Sequence, residues 1–474
     1  MKNGLSKDFL LDAARHGLAP SEVERQFHRL LTASETASPE FPCTLMAGIR
    51  RFAAAELAEM AEIGTHLPVH RAIRFIPASG AATRMFNAIV NREPTAMAQL
   101  DEHWASFPFR KAAEAKANCD TLEERWAAVV HVLGLPDLPK GALDFHVEND
   151  QVRTAFDGQL MEWARTLSVE GGRIHFTLPA RVFETQLQAI QAAARTYGLS
   201  VGASVQDAST DTIAVTEDNR PFLKSDGSPL FRPGGHGSLL HNLAAIGQAN
   251  PGALVSIKNI DNVRPESALE QVLPWRRALL GLAETMDRER IQALKALEKG
   301  DVVPAQDWLV QGPLHPLDKP PAEAGDLREA LDRPLLVAGM VRNEGEPGGG
   351  PFWLRDDQGT LRSQVVERAE MDLAHPAVRE CLSKATHFNP VDLVCSLHDQ
   401  FGSPYDLMSF VDPRRDFVVS KTHEGTPLKA LEHPGLWNGA MGRWNTVFVE
   451  VHSATFAPVK TAFDLLRPSH QPIG

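Results

Sequence analysis

Residues 231–262 read FRPGGHGSLLHNLAAIGQANPGALVSIKNIDN, and the order of their parts sets the expected fold. A glycine-rich loop (Pro233, Gly234, Gly235, His236, Gly237) precedes a helical pattern with Leu239, Leu240, Leu243, Ala244 and Ile246 on one side. An apolar strand, Ala253 to Ile257, follows and ends in Lys258-Asn259-Ile260-Asp261-Asn262. Ligands of open α/β sheets sit beyond the carboxyl ends of the strands, so a lysine, a carboxylate and amides there suit a phosphorylated ligand. Glycines let backbone N–H groups come close to a base or phosphate because no Cβ intervenes. The expectation is a nucleotide site with Asp261 as its metal-binding carboxylate. The competing reading is ordinary: a PGG turn, and an Asp-Asn pair capping a strand end.

Working outward, Ile73 opens a short apolar strand, IRFIP, followed by Ala78-Ser79-Gly80-Ala81-Ala82-Thr83-Arg84-Met85 and a helix with Met85, Phe86, Ile89 and Val90 inward. A strand, a small-residue loop and a helix bring N–H groups and a helix N-terminus to a phosphate, and the Arg84 guanidinium suits phosphate oxygens. Further strands are expected at RIHFTLP and at LSVGASVQ, the latter ending at Gln206, with the helix ARVFETQLQAIQAAARTYG between them. Strands and helices alternating in this way predict an α/β fold with a doubly wound, mostly parallel, Rossmann-like sheet.

Residues 1–69 read as a helical N-terminal cap, including one long alanine-rich helix over LMAGIRRFAAAELAEMAEIG, on a domain spanning 70–474. Residues from about 95 to 170 read as mostly helical and charged, and about 265–334 as a helical insertion. Lys421, Lys429 and Lys460 are candidate phosphate ligands that would otherwise be solvated surface lysines.

At 474 residues the chain exceeds the size of one ordinary core. Its 48 Lys and Arg against 60 Asp and Glu give a net charge of −12, which argues against nonspecific nucleic-acid binding. The four cysteines, at 43, 119, 381 and 395, form no metal-spaced cluster, and the 18 histidines include no HExxH array. The sequence has no signal-peptide core and no run of eighteen uncharged apolar residues, so the expectation is a cytoplasmic chain without membrane partners.

Four motifs resemble those of the UDP-sugar pyrophosphorylases, most closely the UDP-glucose type, over roughly residues 70 to 468. Ala78 to Met85 looks like the nucleotidyltransferase loop, and Gln206 closes a strand as the family's base-reading glutamine does. Pro233-Gly234-Gly235-His236-Gly237, followed by Asn259-Ile260-Asp261-Asn262, is similar to the P-G-H-G and N-x-D-N pair. Phe456-Ala457-Pro458-Val459-Lys460, with Thr461 and Asp464-Leu465-Leu466, resembles the segment whose lysine contacts phosphate. The whole chain also resembles a bacterial domain-of-unknown-function family marked by PASGAATRM, FRPGGHG and KNIDN, which implies no activity.

The pyrophosphorylase resemblance implies a nucleotidyltransferase joining a nucleoside triphosphate, with UTP expected, to a sugar 1-phosphate or similar phosphorylated acceptor, with release of pyrophosphate. Arg84 and Lys460 would neutralise charge, and Ala78, Ser79, Gly80, Ala81 and Thr83 would hold phosphates. Gln206, Gly234 and Gly235 would read the base, and His236 would lie near the ribose or acceptor. Glu367 and Asn389 would bind sugar hydroxyls, and Asp261 would hold Mg²⁺. Ser79 and Ala82 replace glycines of the family's loop, and no Pro-Lys follows Met85 at the family's distance, so Lys258 is the expected substitute for a catalytic lysine. The family's C-terminal β-helix has no counterpart in the sequence. Two other readings compatible with the same sheet are a nucleotide-sugar-dependent glycosyltransferase and a noncatalytic nucleotide-binding regulator.

Overall fold

The computed structural model describes residues 4–32, 36–45, 47–167, 170–315, 318–345, 348–356, 359–389 and 392–472. Ten strands build its central sheet: β1 (Thr44–Leu45), β2 (Gly48–Arg50), β3 (Ala72–Pro77), β4 (Arg173–Thr177), β5 (Ser200–Ser204), β6 (Leu254–Lys258), β7 (Leu335–Arg342), β8 (His387–Phe388), β9 (Asp392–Ser396) and β10 (Asn445–Glu450). The order is β1-β2-β10-β7-β9-β6-β3-β4-β5, with β8 paired to the far end of β7. Neighbours along this path are parallel except at β9, which runs antiparallel to both β6 and β7.

Both faces of the sheet are covered, which is why its central strands read as continuous apolar runs. On one face Leu254, Leu335 and Val337 pack with the helices Thr83–Val90, Ala155–Leu167 and Leu273–Leu297. On the other, Val255, Ile257, Leu336 and Ala338 pack with the helix Leu239–Ala249 and with Trp353 and Trp444. The fold is thus the doubly wound α/β arrangement expected from the motif order, with one antiparallel strand inside it.

The residues before 70 divide between two sites. The helices Lys7–His16 and Pro20–Leu31 pack Phe9, Val23 and Phe27 against Ile213, Val215 and Leu431 of a separate four-stranded sheet. The stretch read as one long helix is helical only from Ala54 to Thr65. Its start is β2 instead, because Gly48 takes a φ of 104° that breaks a helix and Ile49 is buried beside β10. From 265 to 334 the helices are Leu273–Leu297, Val303–Gln311 and Ala324–Leu331. Among the described residues no helix is long and apolar enough to cross a membrane.

Candidate functional site

The strand β3 ends at Pro77, and the loop 78–82 turns the chain into the helix Thr83–Val90. The Ala78 N–H is taken by Thr177, donating to its carbonyl at 3.2 Å and to Oγ1 at 3.1 Å. The Ala82 N–H donates to Leu138 O at 3.0 Å, and Gly80 O accepts from the Lys140 N–H at 3.2 Å. Thr83 Oγ1 donates to Pro136 O at 3.1 Å. Residues 136–140 are therefore stitched along the loop. Between the stitches, the N–H groups of Ser79, Gly80 and Ala81 make no backbone hydrogen bond among the described residues.

This stitching delivers a lysine that sequence reasoning missed. Lys140 Nζ lies 2.8 Å from Asp261 Oδ2, and Lys460 Nζ approaches the same oxygen at 3.3 Å. Lys140, Lys460, Arg84 and Asp261 line one cavity of about 430 Å³ with Ser79, Gly80 and Ala81. Three cations thus face a single carboxylate. Burial would raise the Asp261 carboxyl, but the two ammoniums outweigh it and hold it below the usual range. Burial pushes Lys140 down, and although Asp261 opposes this, the nearby charges of Lys460 and Arg84 add to it. Burial is the main cause of that lowering; the excess of positive charge is read from the lining itself, where Arg84, Lys140 and Lys460 share the cavity with one carboxylate.

The C-terminal motif earns its residues by holding Lys460. Asn262 donates from Nδ2 to Thr455 O at 3.1 Å and accepts at Oδ1 from the Ala457 N–H at 2.9 Å. The Val459 N–H donates to Asp261 O at 3.1 Å, laying residues 455–459 along the strand end. Asp464 Oδ2 accepts from the N–H groups of Lys460 and Thr461 at 2.8 and 2.7 Å, while Val459, Ala462 and Leu465 are fully buried. Apart from its contact with Asp261, the Lys460 side chain remains mostly exposed.

A second cavity, of about 240 Å³, shares Asp261 and Lys460 with the first and is lined by Glu367, Asn389, Trp437, Phe388, Phe456 and Asn259, among others. His236 backs it without lining it. Its ring stacks on Trp437 at 4.3 Å, and Nδ1 accepts from the Leu436 N–H at 3.0 Å, which leaves the ring proton on Nε2, 3.4 Å from Glu367 Oε1. Burial would raise Glu367, but His236 and the Asn438 and Trp437 side chains keep it ionised.

Several expected ligands lie elsewhere. Lys258, expected as a catalytic lysine, is instead fully buried, with Nζ 2.8 and 2.6 Å from the Glu162 carboxylate oxygens. Arg74, Arg276 and Asp392 complete this internal cluster on one sheet face, so the lysine ties strand to helix and does not reach a ligand. Burial alone would raise Glu162, but the three cations hold it down to about 2. Ala78 is buried and Thr83 spends its hydroxyl on Pro136, so neither lines the cavity. Gly234 is close to its own chain instead of an open face: a Cβ there would collide with the His433 ring and lie 2.7 Å from Thr210 O. Gly235 takes a φ of +79°, beside Glu432. Gln206 lies two residues past β5, and its Nε2 is buried without a partner.

Among the described residues no group of three or more His, Cys, Asp or Glu forms a metal cluster. Asp261 Oδ1, however, is buried with no hydrogen-bond partner while Oδ2 holds both lysines. An unpartnered carboxylate oxygen at the wall of this cavity is a hard ligand of the kind Mg²⁺ takes, an ion that keeps waters and fills its remaining positions from phosphates.

The family described as a domain of unknown function, DUF4301, matches residues 7–471. The chain belongs to the DUF4301 family. No curated protein matches this DUF4301 chain at the sequence level. Solved structures do. A variant of UDP-glucose pyrophosphorylase from Leishmania major in complex with UDP-glucose is 12% identical with a TM-score of 0.52, over 98% of this chain and 79% of that one. A second variant of that enzyme gives 12% and 0.50, over 96% and 76%. The UDP-N-acetylglucosamine pyrophosphorylase of Trypanosoma brucei gives 14% and 0.48, over 98% and 76%. At these identities the likeness is one of fold, the Rossmann-like nucleotidyltransferase fold.

Proposed function

We propose that this DUF4301 chain is a nucleotidyltransferase, in which a phosphate oxygen of a sugar 1-phosphate or similar acceptor attacks the α-phosphorus of a nucleoside triphosphate and pyrophosphate leaves. The observation that carries this reading is the convergence of Arg84, Lys140 and Lys460 on one cavity with Asp261 as its lone carboxylate. Such a transfer needs no protein nucleophile; it needs alignment and neutralised charge. The free N–H groups of Ser79, Gly80 and Ala81 and the N-terminus of the following helix bind the triphosphate. Arg84 and Lys140 take the charge of the departing pyrophosphate.

Lys460, on the rim shared by both cavities, bridges acceptor phosphate and α-phosphate. Asp261 Oδ1 is the oxygen that would hold Mg²⁺, whose charge neutralises the phosphates when bound. Glu367 and Asn389 offer a carboxylate and an amide to acceptor hydroxyls, next to the aromatic rings of Trp437, Phe388 and Phe456. The resemblance to the UDP-sugar pyrophosphorylases makes UTP the nucleotide of first choice and Gln206 the residue that would read its base.

Exchange of labelled pyrophosphate into nucleoside triphosphates, driven by a panel of UDP-sugars and other nucleotide sugars with Mg²⁺, tests the proposal. Exchange fastest with UTP is expected. Sugar transfer without pyrophosphate exchange would replace this reading with a glycosyltransferase. Binding of nucleotides with no turnover of any kind would replace it with a noncatalytic regulator.

A further inference from the structure

The side chain of Asp261 is steadied by two lysines, but the backbone that aims it has a support of its own. The helix Ala155–Leu167 lays one face along residues 258–263. Glu162 grips Lys258 through both carboxylate oxygens. Gly158 lets Val263 approach so closely that a Cβ there would stand 3.3 Å from it. Between these contacts is Gln159, fully buried, whose Nε2 donates to Asn259 O at 2.8 Å and leans toward Ile260 O at 3.4 Å. Residues 158, 159 and 162 share a helix face by their spacing.

We propose that Gln159 is a positioning residue for Asp261, fixing the two peptide units that lead from the end of β6 to the carboxylate. These carbonyls lie beyond the last rung of the sheet, where no ladder N–H can reach them, and buried carbonyls need a donor. A carboxamide is suited because one nitrogen carries two hydrogens for two adjacent carbonyls. The Gln159 Oε1 has no partner, so donation toward this turn is the contribution its amide makes. The same turn is held from the opposite side by the Asn259 O to Asn262 N–H bond and by the C-terminal segment on Asp261 O. Gln159 lines neither cavity, so it acts on chemistry only through Asp261.

The catalytic part of this inference rests on the nucleotidyl-transfer reading, and the test separates the two. Gln159→Met and Gln159→Glu are compared with Thr166→Val, a buried control on the same helix whose hydroxyl bonds only Glu162 O. Local hydrogen exchange is followed by mass spectrometry on the full chain, and kcat and KM by pyrophosphate exchange. In both Gln159 variants, exchange at 259–263 is expected to rise about tenfold, with β6 and the helix retaining the protection of the control. The value of kcat should fall about ten- to a hundredfold, the effect of slight misplacement, with KM for the nucleotide near that of the parent. In an Asp261→Asn background Gln159→Met should have no further effect on kcat, as expected for residues acting as one unit.

Unchanged exchange at 259–263 overturns the proposal, as does a rise spread equally over β6 and the helix, which would make Gln159 a stabiliser only. A kcat loss that persists in the Asp261→Asn background also overturns it. If the parent turns over no nucleotide, the nucleotidyl-transfer reading falls, and exchange at 259–263 alone decides whether Gln159 positions Asp261.

Discussion

Lys140 and Asp261 stand 121 positions apart in the chain and meet at 2.8 Å, making the closest ion pair of the candidate site. The pair has one anion for two lysines, since Lys460 shares the same Oδ2. Removing Lys140 should therefore be felt by the ligand. For Lys140→Ala, turnover is expected to fall about a hundredfold, the loss of roughly 2–4 kcal/mol from one preorganised donor. Metal-free affinity for pyrophosphate, measured by titration calorimetry, should fall with it. Lys258→Met gives the contrast: its melting temperature drops, because Glu162 loses a buried partner worth on the order of 3 kcal/mol, while pyrophosphate affinity stays at the parent value.

Asp261→Asn should move two quantities in opposite directions. Turnover with Mg²⁺ should fall about a thousandfold to a residual rate, since the carboxylate that serves the cation is gone. Affinity for pyrophosphate in the absence of metal should increase, because Lys140, Lys460 and Arg84 then face the cavity with no protein anion. Full retention of Mg²⁺-dependent turnover would make Asp261 a turn residue only.

Lys460→Ala tests the C-terminal motif. Its ammonium is mostly exposed, so its pairing with Asp261 contributes little to stability and the melting temperature should barely change. Its loss should nevertheless cost on the order of a hundredfold in rate once phosphates fill the cleft. Lys429→Ala is the control, a half-buried lysine of the four-stranded sheet bonded to Asn219 Oδ1 at 3.0 Å and remote from the cavity. Equal behaviour of the two variants would reduce the motif to a fold element.

The pH dependence of stability should carry the signature of a buried histidine pair. His146 Nε2 and His470 Nδ1 are 3.0 Å apart in stacked rings. Burial lowers both, with His470 and the Arg264 and Arg153 guanidiniums adding to it at His146. At His470, pushed down to about 4, Arg264 and Arg467 add to burial while Asp464 opposes it. A folded pKa below the unfolded value near 6.5 means that the unfolded chain binds more protons between the two. The stability from this pair is thus complete above about pH 6.5 and lost as pH falls toward 4. Melting temperatures from pH 7.5 to 4.5 should decline less steeply in a His146→Phe, His470→Phe double variant than in the parent; parallel curves would remove the pair from the account.

The motif-bearing loops were legible because they sit where strand and helix signals change. Ser79 to Ala81, Arg84, Asp261 and Lys460 converge on one cavity as their motifs imply. Lys140 was not legible, since it enters from a stretch that reads as charged helix and reaches the site only by pairing of 138–140 with the loop, a tertiary event. Lys258 misled for a different reason. All five residues of β6 are buried, so alternation does not tell which side chain faces a helix and which faces a ligand. The antiparallel β9 was likewise hidden, because a strand covered on both faces has the same apolar composition in either direction.

The dependence of the site on residues 455–460 also sets when it can come into being. Asn262 closes on Thr455 and Ala457 across separations of 193 and 195 positions, and Lys460 meets Asp261 across 199. At about 5–20 residues per second, synthesis takes on the order of ten seconds or more to travel from the first partner to the second. Throughout that interval β6 can pair with β3 and the helix can dock, yet Asn262 and the Asp261 carbonyl lack their C-terminal partners and the cleft lacks its last cation. A growing chain therefore holds most of its core before it holds a complete candidate site, and a product cut short before residue 455 would fold toward the same sheet with that site unfinished.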